Sequence, residues 1–303
     1  MIILKLKGGT GNQMFQYAAG RALSLRLSVP LFLDLSFLKA GKLQKDVEYR
    51  EYGLDVFDIE ADIMAEVIKN EFYKKALRNY KLKISGVNRK LFNYSIPIKK
   101  IYTEKKRSYN REFGNLSRNT YLDGYWSSPK YFEGYEDVIR NDFRFKIKPD
   151  VVNKKLISEI SNQQESVAIH IRKGDFSKLD KLGVTEMDYY QCATEYYLQN
   201  LKNPVFYLFG NDPVLAGNEI SKLFGGIKII PVDINQSVEK NIEDMRLITF
   251  CNHQIIGNST FGWWGAWLNK KQDKMVAAPK KIFNDPKLNE EIQDMIPENW
   301  LRF

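Results

Sequence analysis

Short apolar runs alternate with longer segments that carry apolar residues at helical spacing through the second half of this chain. Apolar runs of this kind, bounded by polar residues, are typical of buried parallel strands, and the longer segments predict helices. The predicted strands cover residues 166–171, 205–210, 227–231 and 253–257, and the predicted helices cover residues 187–201, 213–224 and 240–251. The alternation predicts a doubly wound α/β domain around a parallel sheet.

The first half opens with the same alternation. A strand, a helix and a second strand are predicted at residues 1–7, 12–27 and 29–33. Residues 146–150, which include a proline, are typical of a linker. We therefore predict an α/β fold of two Rossmann-like, doubly wound domains, residues 1–150 and 151–303, facing each other across a cleft.

A glycine-rich loop, Gly8 to Gly11, separates the first predicted strand from the first helix. A strand, a glycine loop, a helix and an acid about 20 residues further on, here Asp34, outline a dinucleotide site. The fingerprint is incomplete, because Met14 occupies the place of its third glycine. Backbone and amide groups at the start of a helix suit hydroxyls as well as phosphates, and they are offered here by Gly9, Gly11 and Asn12.

The composition of the 303 residues is that of an ordinary globular protein. No apolar run approaches the roughly 20 residues that cross a bilayer. The first residues lack the layout of a signal peptide, since Gly8 and Gly9 end a short apolar run. Two cysteines, Cys192 and Cys251, are too few for a disulfide framework. We therefore expect a cytoplasmic protein.

The formal net charge of +9 suits an anionic partner, which could be a nucleic acid, a membrane surface or a nucleotide-like small molecule. We find no zinc-ligand spacing and no basic helix that would indicate nucleic-acid binding. Two histidines and two cysteines are too few for a dedicated transition-metal site, and the sequence has no Asp-x-Asp pair. We expect any bound diphosphate to be held without a metal ion or a cofactor.

The densest group of polar and charged side chains lies at the end of the predicted strand 166–171, where His170, Arg172, Lys173 and Asp175 fall within six consecutive positions. Ligands of open α/β sheets bind beyond the carboxyl ends of the strands. A guanidinium there can take two oxygens of one phosphate in a fork. A basic surface turn is the alternative for the whole cluster, and core packing is the alternative for His170.

Two more strand ends of this half carry candidate ligands. The last predicted strand runs into Asn258, Ser259, Thr260 and Phe261, and small hydroxyl residues at a helix N-terminus offer N–H and O–H donors to an anion. The tryptophans that follow are expected in the core. Asp212 follows the strand 205–210, and we prefer helix capping to ligand binding there.

An aromatic stretch, residues 121–132, ends the first half. Aromatic rings can stack on the C–H faces of sugars, and they can equally pack the interior of a fold. We prefer packing, and the sugar platform is the alternative.

Three motifs of this chain occur together in one known family. They are Gly8-Gly9-x-Gly11-Asn12-Gln13-Met14-Phe15-Gln16-Tyr17, His170-x-Arg172-Lys173-Gly174-Asp175 and Asn258-Ser259-Thr260-Phe261-x-Trp263-Trp264-Gly265-Ala266-Trp267-Leu268. With Gly124-Tyr125-Trp126 and Asp244…Cys251-x-His253, they resemble the α-1,2-fucosyltransferases of glycosyltransferase family 11. Each motif alone is unspecific, whereas their joint occurrence in the expected order, from residue 8 to about 268, is highly specific.

The resemblance implies a GT-B architecture, with an acceptor-side N-terminal domain and a C-terminal domain that holds GDP-fucose. It implies an inverting, metal-independent galactoside 2-α-L-fucosyltransferase that acts on a galactose-containing oligosaccharide or lipid-linked glycan. Such an acceptor leaves room for peripheral contact between this basic protein and the inner surface of a membrane. One departure is visible: the family usually has a second arginine where Lys173 stands, so an ammonium replaces a guanidinium fork.

The resemblance also assigns roles to residues. Arg172, assisted by Ser259 and Thr260, would stabilise the charge on the leaving GDP, and His170 would lie at the donor site. Asp175 is either the base for the acceptor hydroxyl or the salt-bridge partner that aims Arg172, and both alternatives stay open. Asp244 would bind the nucleotide, unless its helix places it on a solvated face. The predicted donor-binding set is Arg172, Lys173, Asp212, Asp244, Asn258, Ser259, Thr260, Phe261, Gly9, Gly11 and Asn12.

Other functions are alternatives at this point. The nearest is a fucosyltransferase of another linkage, or a GT-B enzyme with a different nucleotide sugar. The opening strand–helix–strand pattern leaves an NAD(P)-binding oxidoreductase open, and the charge leaves a nucleic-acid-binding or membrane-binding protein open. The last class does not explain two phosphate-type loops in one domain.

Overall fold

The computed structural model describes residues 1–41, 50–64, 100–172, 185–237 and 241–303, and the elements below are numbered within those ranges. The chain divides into two compact units, unit 1 (Met1–Lys146) and unit 2 (Ile147–Phe303). The division falls at the start of the stretch 146–150 that the sequence predicts to be a linker.

Unit 1 is built on a five-stranded parallel sheet in the order β3-β2-β1-β5-β4. Its strands are β1 Ile2–Lys5, β2 Leu31–Asp34, β3 Asp62–Ile63, β4 Lys100–Thr103 and β5 Thr120–Asp123. Its helices are α1 Thr10–Leu27, α2 Ser36–Gly41 and α3 Glu136–Asp142, with 3-10 helices at Arg111–Asn115 and Pro129–Phe132. The central strand β1 is buried, as strands covered on both faces are.

Helix α1 begins at Thr10 rather than at the predicted residue 12, because Gly9 caps it in an extended conformation. The carbonyl of Gly9 accepts the amide of Gln13 at 3.0 Å, which closes the first turn. The helix ends where Ser28 turns into the left-handed conformation with φ 51°. The glycine loop and the helix start thus lie directly beyond β1.

Unit 2 is built on a six-stranded parallel sheet in the order β11-β10-β9-β6-β7-β8. Its strands are β6 Ser166–Ile171, β7 Val205–Gly210, β8 Lys228–Pro231, β9 His253–Ile256, β10 Val276–Ala278 and β11 Leu301–Arg302. Its helices are α4 Val151–Ser161, α5 Met187–Asn200, α6 Pro213–Leu223, α7 Ile242–Phe250, α8 Thr260–Leu268 and α9 Pro286–Glu291. Every residue of β6 is buried.

The four strands predicted in this half are confirmed, and β6 and β7 have the predicted bounds. Strands β10 and β11 were not predicted, because three and two residues are too few to give an apolar run that stands out. Helix α4 was not predicted either. Its start is set by Asp150, whose carboxylate accepts the amide of Asn153 at 2.8 Å.

Three buried tyrosine hydroxyls attach α5 to the sheet. Each donates a hydrogen bond to a backbone carbonyl of β6 or β9. The pairs are Tyr189 with Ile256 at 2.7 Å, Tyr190 with His170 at 3.2 Å and Tyr197 with Gln254 at 2.9 Å. The carboxyl ends of the two neighbouring strands are therefore fixed by side chains as well as by the sheet.

The two cysteines differ in accessibility. Cys192 is exposed on α5, whereas Cys251 is buried directly after α7. Burial raises the pKa of the Cys251 thiol far above its usual value, so this thiol stays protonated.

The aromatic stretch 121–132 packs largely inside unit 1, which confirms the preferred interpretation for most of it. Trp126 is 1% exposed, and its ring stacks on Tyr102 with 5.7 Å between centroids. It also contacts Phe113 and Tyr131, at 5.0 and 5.6 Å. Tyr125 differs because it stays half-exposed.

Candidate functional site

The carboxyl ends of β6 and β9 bring two of the predicted motifs together in unit 2. The strands pair in parallel with His170 opposite Ile256, and the amide of Gly257 donates to the carbonyl of His170 at 3.2 Å. Helix α8 then begins at Thr260. Residues 170–172 and 258–262 therefore share one edge of the sheet, where ligands of such folds bind.

The side chain of His170 packs against the first turn of α8. Its ring stacks on Phe261 with 5.6 Å between centroids and 28° between planes. A Cβ on Gly262 would lie 2.9 Å from Nδ1 of His170, closer than side chains pack. A glycine inside a helix costs about 1 kcal/mol relative to alanine, and here it allows the helix to approach the imidazole. Sequence reasoning missed Gly262, although a glycine within an apolar helix is itself a signal of close packing.

Nδ1 of His170 is buried and has no hydrogen-bond partner among the described residues. Burial, and after it the charge of Arg172, lower the pKa of His170 to about 3. The imidazole is therefore neutral at physiological pH, so it offers hydrogen bonding rather than positive charge. A buried nitrogen without a partner costs free energy that a bound ligand could offset.

Arg172 follows the last residue of β6 and is half-exposed. Because it directly follows β6, Arg172 lies at the carboxyl edge of that strand, and its charge lowers the pKa of the nearby His170. Lys173 and Asp175 lie outside the described residues. The second cation and the candidate base therefore stay predictions.

Ser259 is the N-cap of α8, and its hydroxyl accepts the amide of Phe261 at 3.3 Å. Ser259 is 3% exposed, whereas Thr260 and Phe261 are half-exposed. Of the two predicted hydroxyl ligands, Ser259 has a capping role and Thr260 is the one that a ligand can reach directly.

Asn258 fixes the turn between β9 and α8. Its backbone amide donates to the hydroxyl of Thr185 at 3.0 Å, and its side-chain amide donates to the carbonyl of Ile282 at 3.2 Å. Thr185 is separated from Asn258 by 73 positions, so no local sequence pattern connects them. Asn258 thus supports the site from within the fold.

Asp212 caps α6 at the end of the neighbouring strand β7. Its carboxylate accepts the amide of Leu215 at 2.9 Å, and Pro213 occupies the first helical position. This is the interpretation that we prefer from sequence. Asp212 is exposed, and its contact with a nucleotide stays a prediction.

Asp244 on α7 is 5% exposed, so the alternative of a solvated helix face is wrong. Its carboxylate accepts the side-chain amide of Asn235 at 3.0 Å. Asn235 and Asn153 exchange amide hydrogen bonds at 3.0 and 3.1 Å, which connects α7 to α4. Burial raises the pKa of Asp244 to about 7; the bond from Asn235 opposes the rise and the charge of Glu243 adds to it.

The glycine loop of unit 1 is held by two glutamine side chains. Gln13 donates to the carbonyls of Gly8 and Glu51 at 2.9 and 2.8 Å. Gln16 bonds both backbone groups of Lys7, at 3.0 and 3.1 Å. The side chains of Gln13 and Gln16 are therefore buried in the fold. The side chain of Asn12, by contrast, is half-exposed and open to a ligand.

Within the described ranges, no group of three or more His, Cys, Asp or Glu side chains is placed to hold a metal ion. Independence from metal stays a prediction. Among the helices of the described residues, none combines the length and the apolar character needed to span a membrane.

Two α/β units, each built on a parallel sheet, with polar motifs at the carboxyl edge of the second sheet, define a protein of the GT-B type. A sequence profile of "Glycosyl transferase family 11" matches residues 66–303. The chain belongs to glycosyltransferase family 11 and is a glycosyltransferase.

Relatives in Escherichia coli span nearly the whole chain. The O-antigen biosynthesis glycosyltransferase WbnK is 33% identical over 92% of this chain and 93% of its own length. An alpha-1,2-colitosyltransferase is 29% identical over 100% of this chain and 98% of its own. Among solved structures, the alpha-1,6-fucosyltransferase NodZ soaked with GDP-fucose aligns with a TM-score of 0.50 at 16% identity, covering 88% of this chain and 91% of that one. At that identity the likeness shows the fold alone.

Proposed function

We propose that this glycosyltransferase is an inverting galactoside 2-α-L-fucosyltransferase that moves L-fucose from GDP-fucose to the 2-hydroxyl of a galactose. The observation that carries the proposal is that Arg172 directly follows β6 and that α8 begins beyond the neighbouring strand β9, at the same edge of the unit 2 sheet. A guanidinium and a helix N-terminus together can hold a diphosphate without a metal ion. The 1,2-linkage made by one relative and the GDP-fucose bound by a protein of the same fold support it.

The reaction requires stabilisation of the negative charge on the leaving GDP. Inverting transfer passes through an oxocarbenium-like transition state, and negative charge develops on the leaving diphosphate. Arg172 would take that charge, with the hydroxyl of Thr260 and the dipole of α8 adding donors. His170 is neutral, so it would contribute a hydrogen bond from its buried ring and not a second cation.

The donor is tested by calorimetry with GDP-fucose, GDP-mannose and UDP-galactose. We expect only GDP-fucose to bind tightly and to be consumed with galactose-terminated glycans. Linkage analysis of the product should then show fucose on the 2-hydroxyl. Tight binding of UDP-galactose would contradict the proposed donor, and a product of another linkage would contradict the proposed linkage.

The role of Arg172 is tested by Arg172→Ala beside Arg144→Ala, an exposed arginine of unit 1. Loss of a preorganised charge partner typically costs about 10²–10³ in rate. We expect a loss of at least that size for Arg172→Ala in a protein that still unfolds at the original temperature. Near-normal turnover would contradict the assignment, and an equal loss in the Arg144 variant would make it unspecific.

A colitosyl donor is the second candidate, because the colitosyltransferase relative aligns over 100% of this chain. Colitose is fucose without its 3-hydroxyl, so the two donors share the diphosphate and the leaving-group chemistry. The ratio of kcat/KM for the two GDP-sugars separates them. A preference for GDP-colitose would change the donor and leave the linkage in place.

A further inference from the structure

A second group of polar side chains lies at the carboxyl edge of the unit 1 sheet, and none of its members belongs to the predicted donor-binding set. Strands β1, β5 and β4 are neighbours in that sheet. β1 ends at Lys5, two residues before Lys7. β5 ends at Asp123, and β4 is followed directly by Glu104. Because this edge is where ligands of parallel sheets bind, the cluster occupies a ligand position.

Asp123 is held between two lysines. Nζ of Lys5 and Nζ of Lys7 lie 3.0 and 2.9 Å from its two carboxylate oxygens. Burial raises the pKa of this carboxyl, but the hydrogen bonds from Lys7 and Lys5 outweigh it and hold the pKa below its usual value. Asp123 is therefore a carboxylate at neutral pH, and all three side chains are 16–18% exposed, so a ligand can reach them.

Hydrogen-bonding capacity remains after these ion pairs. A carboxylate has about four lone-pair positions, and each ammonium has about three N–H donors. The two lysine contacts use only part of either set. The cluster can therefore accept a hydrogen bond and donate one at the same point, which is the pattern that a sugar hydroxyl and its neighbour require.

The turn that follows Asp123 is strained. Trp126 has a φ of 53°, which is uncommon for a bulky residue and costs about 1–3 kcal/mol. Both oxygens of the Glu104 carboxylate hold it, accepting the amide of Tyr125 at 2.7 Å and that of Trp126 at 3.0 Å. A Cβ on Gly124 would lie 2.6 Å from both Glu104 and the Trp126 ring, so the turn requires glycine there.

The strained turn separates two aromatic side chains. Trp126 enters the core at 1% exposure, while the preceding Tyr125 stays half-exposed beside the charged cluster. Nζ of Lys7 lies 4.7 Å from the centre of the Tyr125 ring, and the guanidinium carbon of Arg107 lies 5.0 Å from it. The cation–π contact with Lys7 links Tyr125 to Asp123 through one side chain. Backbone strain is concentrated at functional sites, and here the strained residue Trp126 directly follows the half-exposed Tyr125.

We propose that Asp123, Lys7 and Tyr125 bind the terminal sugar of the acceptor glycan. The carboxylate accepts one sugar hydroxyl, the ammonium donates to a neighbouring oxygen, and the tyrosine offers its hydroxyl and ring edge. The ionised carboxylate of Asp123 can only accept hydrogen bonds, and a sugar hydroxyl donates one whereas a phosphate at neutral pH does not, so the ligand class is a neutral glycan and not a second nucleotide. The proposal rests on the proposed function for the identity of that sugar as a galactose.

Four variants test it: Asp123→Asn and Tyr125→Ala at the site, with Asp58→Asn and Tyr135→Ala as an exposed acid and a half-exposed tyrosine elsewhere in unit 1. Transfer from GDP-fucose is measured against lactose concentration, and the affinity for GDP is measured by calorimetry. We expect the KM for lactose to rise at least tenfold in both site variants, with GDP affinity unchanged and with both controls unchanged. An unaltered KM in the site variants would overturn the proposal, as would an equal rise in the controls.

Direct binding separates this proposal from the proposed function. Saturation-transfer NMR of lactose and methyl β-galactoside needs no donor and no turnover. If the chain did not use GDP-fucose, lactose signals that vanish in Asp123→Asn and persist in Asp58→Asn would still support the sugar site. Absence of any galactoside signal with the unmodified chain, together with no turnover, would overturn it. If Asp123→Asn failed to fold, Tyr125→Ala would decide, because it removes no ion pair.

Discussion

The buried carboxyl of Asp244 should make the stability of this protein fall with rising pH, and Asp244→Asn should remove that dependence. The side-chain amide of Asn235 donates to the carboxyl at 3.0 Å, and Asn153 in turn bonds Asn235. Asparagine keeps an oxygen at that position, so the network retains this bond. What the substitution removes is the charge.

The magnitude follows from the change in pKa on folding. The pKa of Asp244 rises from 3.8 to about 7 in the folded chain, chiefly through burial. Between these values the folded protein holds a proton that the unfolded chain has lost, so the free energy of unfolding decreases as the pH rises through this window. At about 1.4 kcal/mol for each pH unit, the carboxylate destabilises the fold by about 4 kcal/mol above pH 7.

The assay is urea unfolding of the unmodified chain and Asp244→Asn between pH 4 and pH 8. We expect the variant to be more stable at pH 8 by up to about 4 kcal/mol and similar to the parent near pH 4. The exposed Asp233, changed to Asn, is the control and should leave the profile unchanged. Parallel profiles of parent and Asp244→Asn would refute the reasoning.

The same variant addresses the nucleotide role predicted for Asp244. Its affinity for GDP, measured at pH 8 where the parent is charged, shows whether the carboxylate also contacts the base or phosphate. Unchanged affinity would leave the amide network as the role of this residue. A loss of affinity in a more stable protein would separate binding from folding.

Three further predictions concern the site and its surroundings. Gly262→Ala should destabilise the fold by about 1–3 kcal/mol, because its Cβ would overlap the His170 ring, whereas Gly225→Ala, with nothing within 4 Å, should have no measurable effect in the same thermal unfolding assay. Asp212→Ala should cost about 1 kcal/mol of stability through loss of the helix cap, with GDP affinity unchanged; a tenfold loss of affinity at constant stability would make Asp212 a ligand group instead. Excess EDTA should leave transfer intact, and strong inhibition that Mn²⁺ reverses would contradict a diphosphate site made only of cations and N–H donors.

Much of unit 2 could be predicted because its central strands β6, β7 and β9 are buried almost throughout. The run at 166–171 is apolar except for Ser166 and His170, and polar residues flank it on both sides, so β6 has the predicted bounds. The start of α8 was visible in the same way, since Ser259 and Thr260 separate an apolar strand from an apolar helix. Local patterns therefore located the edge at which the candidate site lies.

Other features depend on residues that are distant in sequence. Asn153 and Asn235 are 82 positions apart, and their mutual hydrogen bonds hold the amide that Asn235 donates to the buried Asp244, so helical periodicity alone could not place that carboxyl inside. Thr185 and Asn258 are likewise hydrogen-bonded although they lie 73 positions apart in the sequence. The role of Glu104 also has no local signal, because the amides that it accepts belong to residues 125 and 126.

The unequal exposure of the two cysteines gives this protein one natural attachment point for a reporter. Cys192 is exposed on α5, and Cys251 is buried with its thiol protonated, so a maleimide dye should label a single position without any engineering. Helix α5 is joined through Tyr190 to the carbonyl of His170, at the edge where we place the donor. A dye at Cys192 therefore stands on an element rigidly connected to that edge, and its fluorescence offers a turnover-free signal for nucleotide titrations of the unmodified chain.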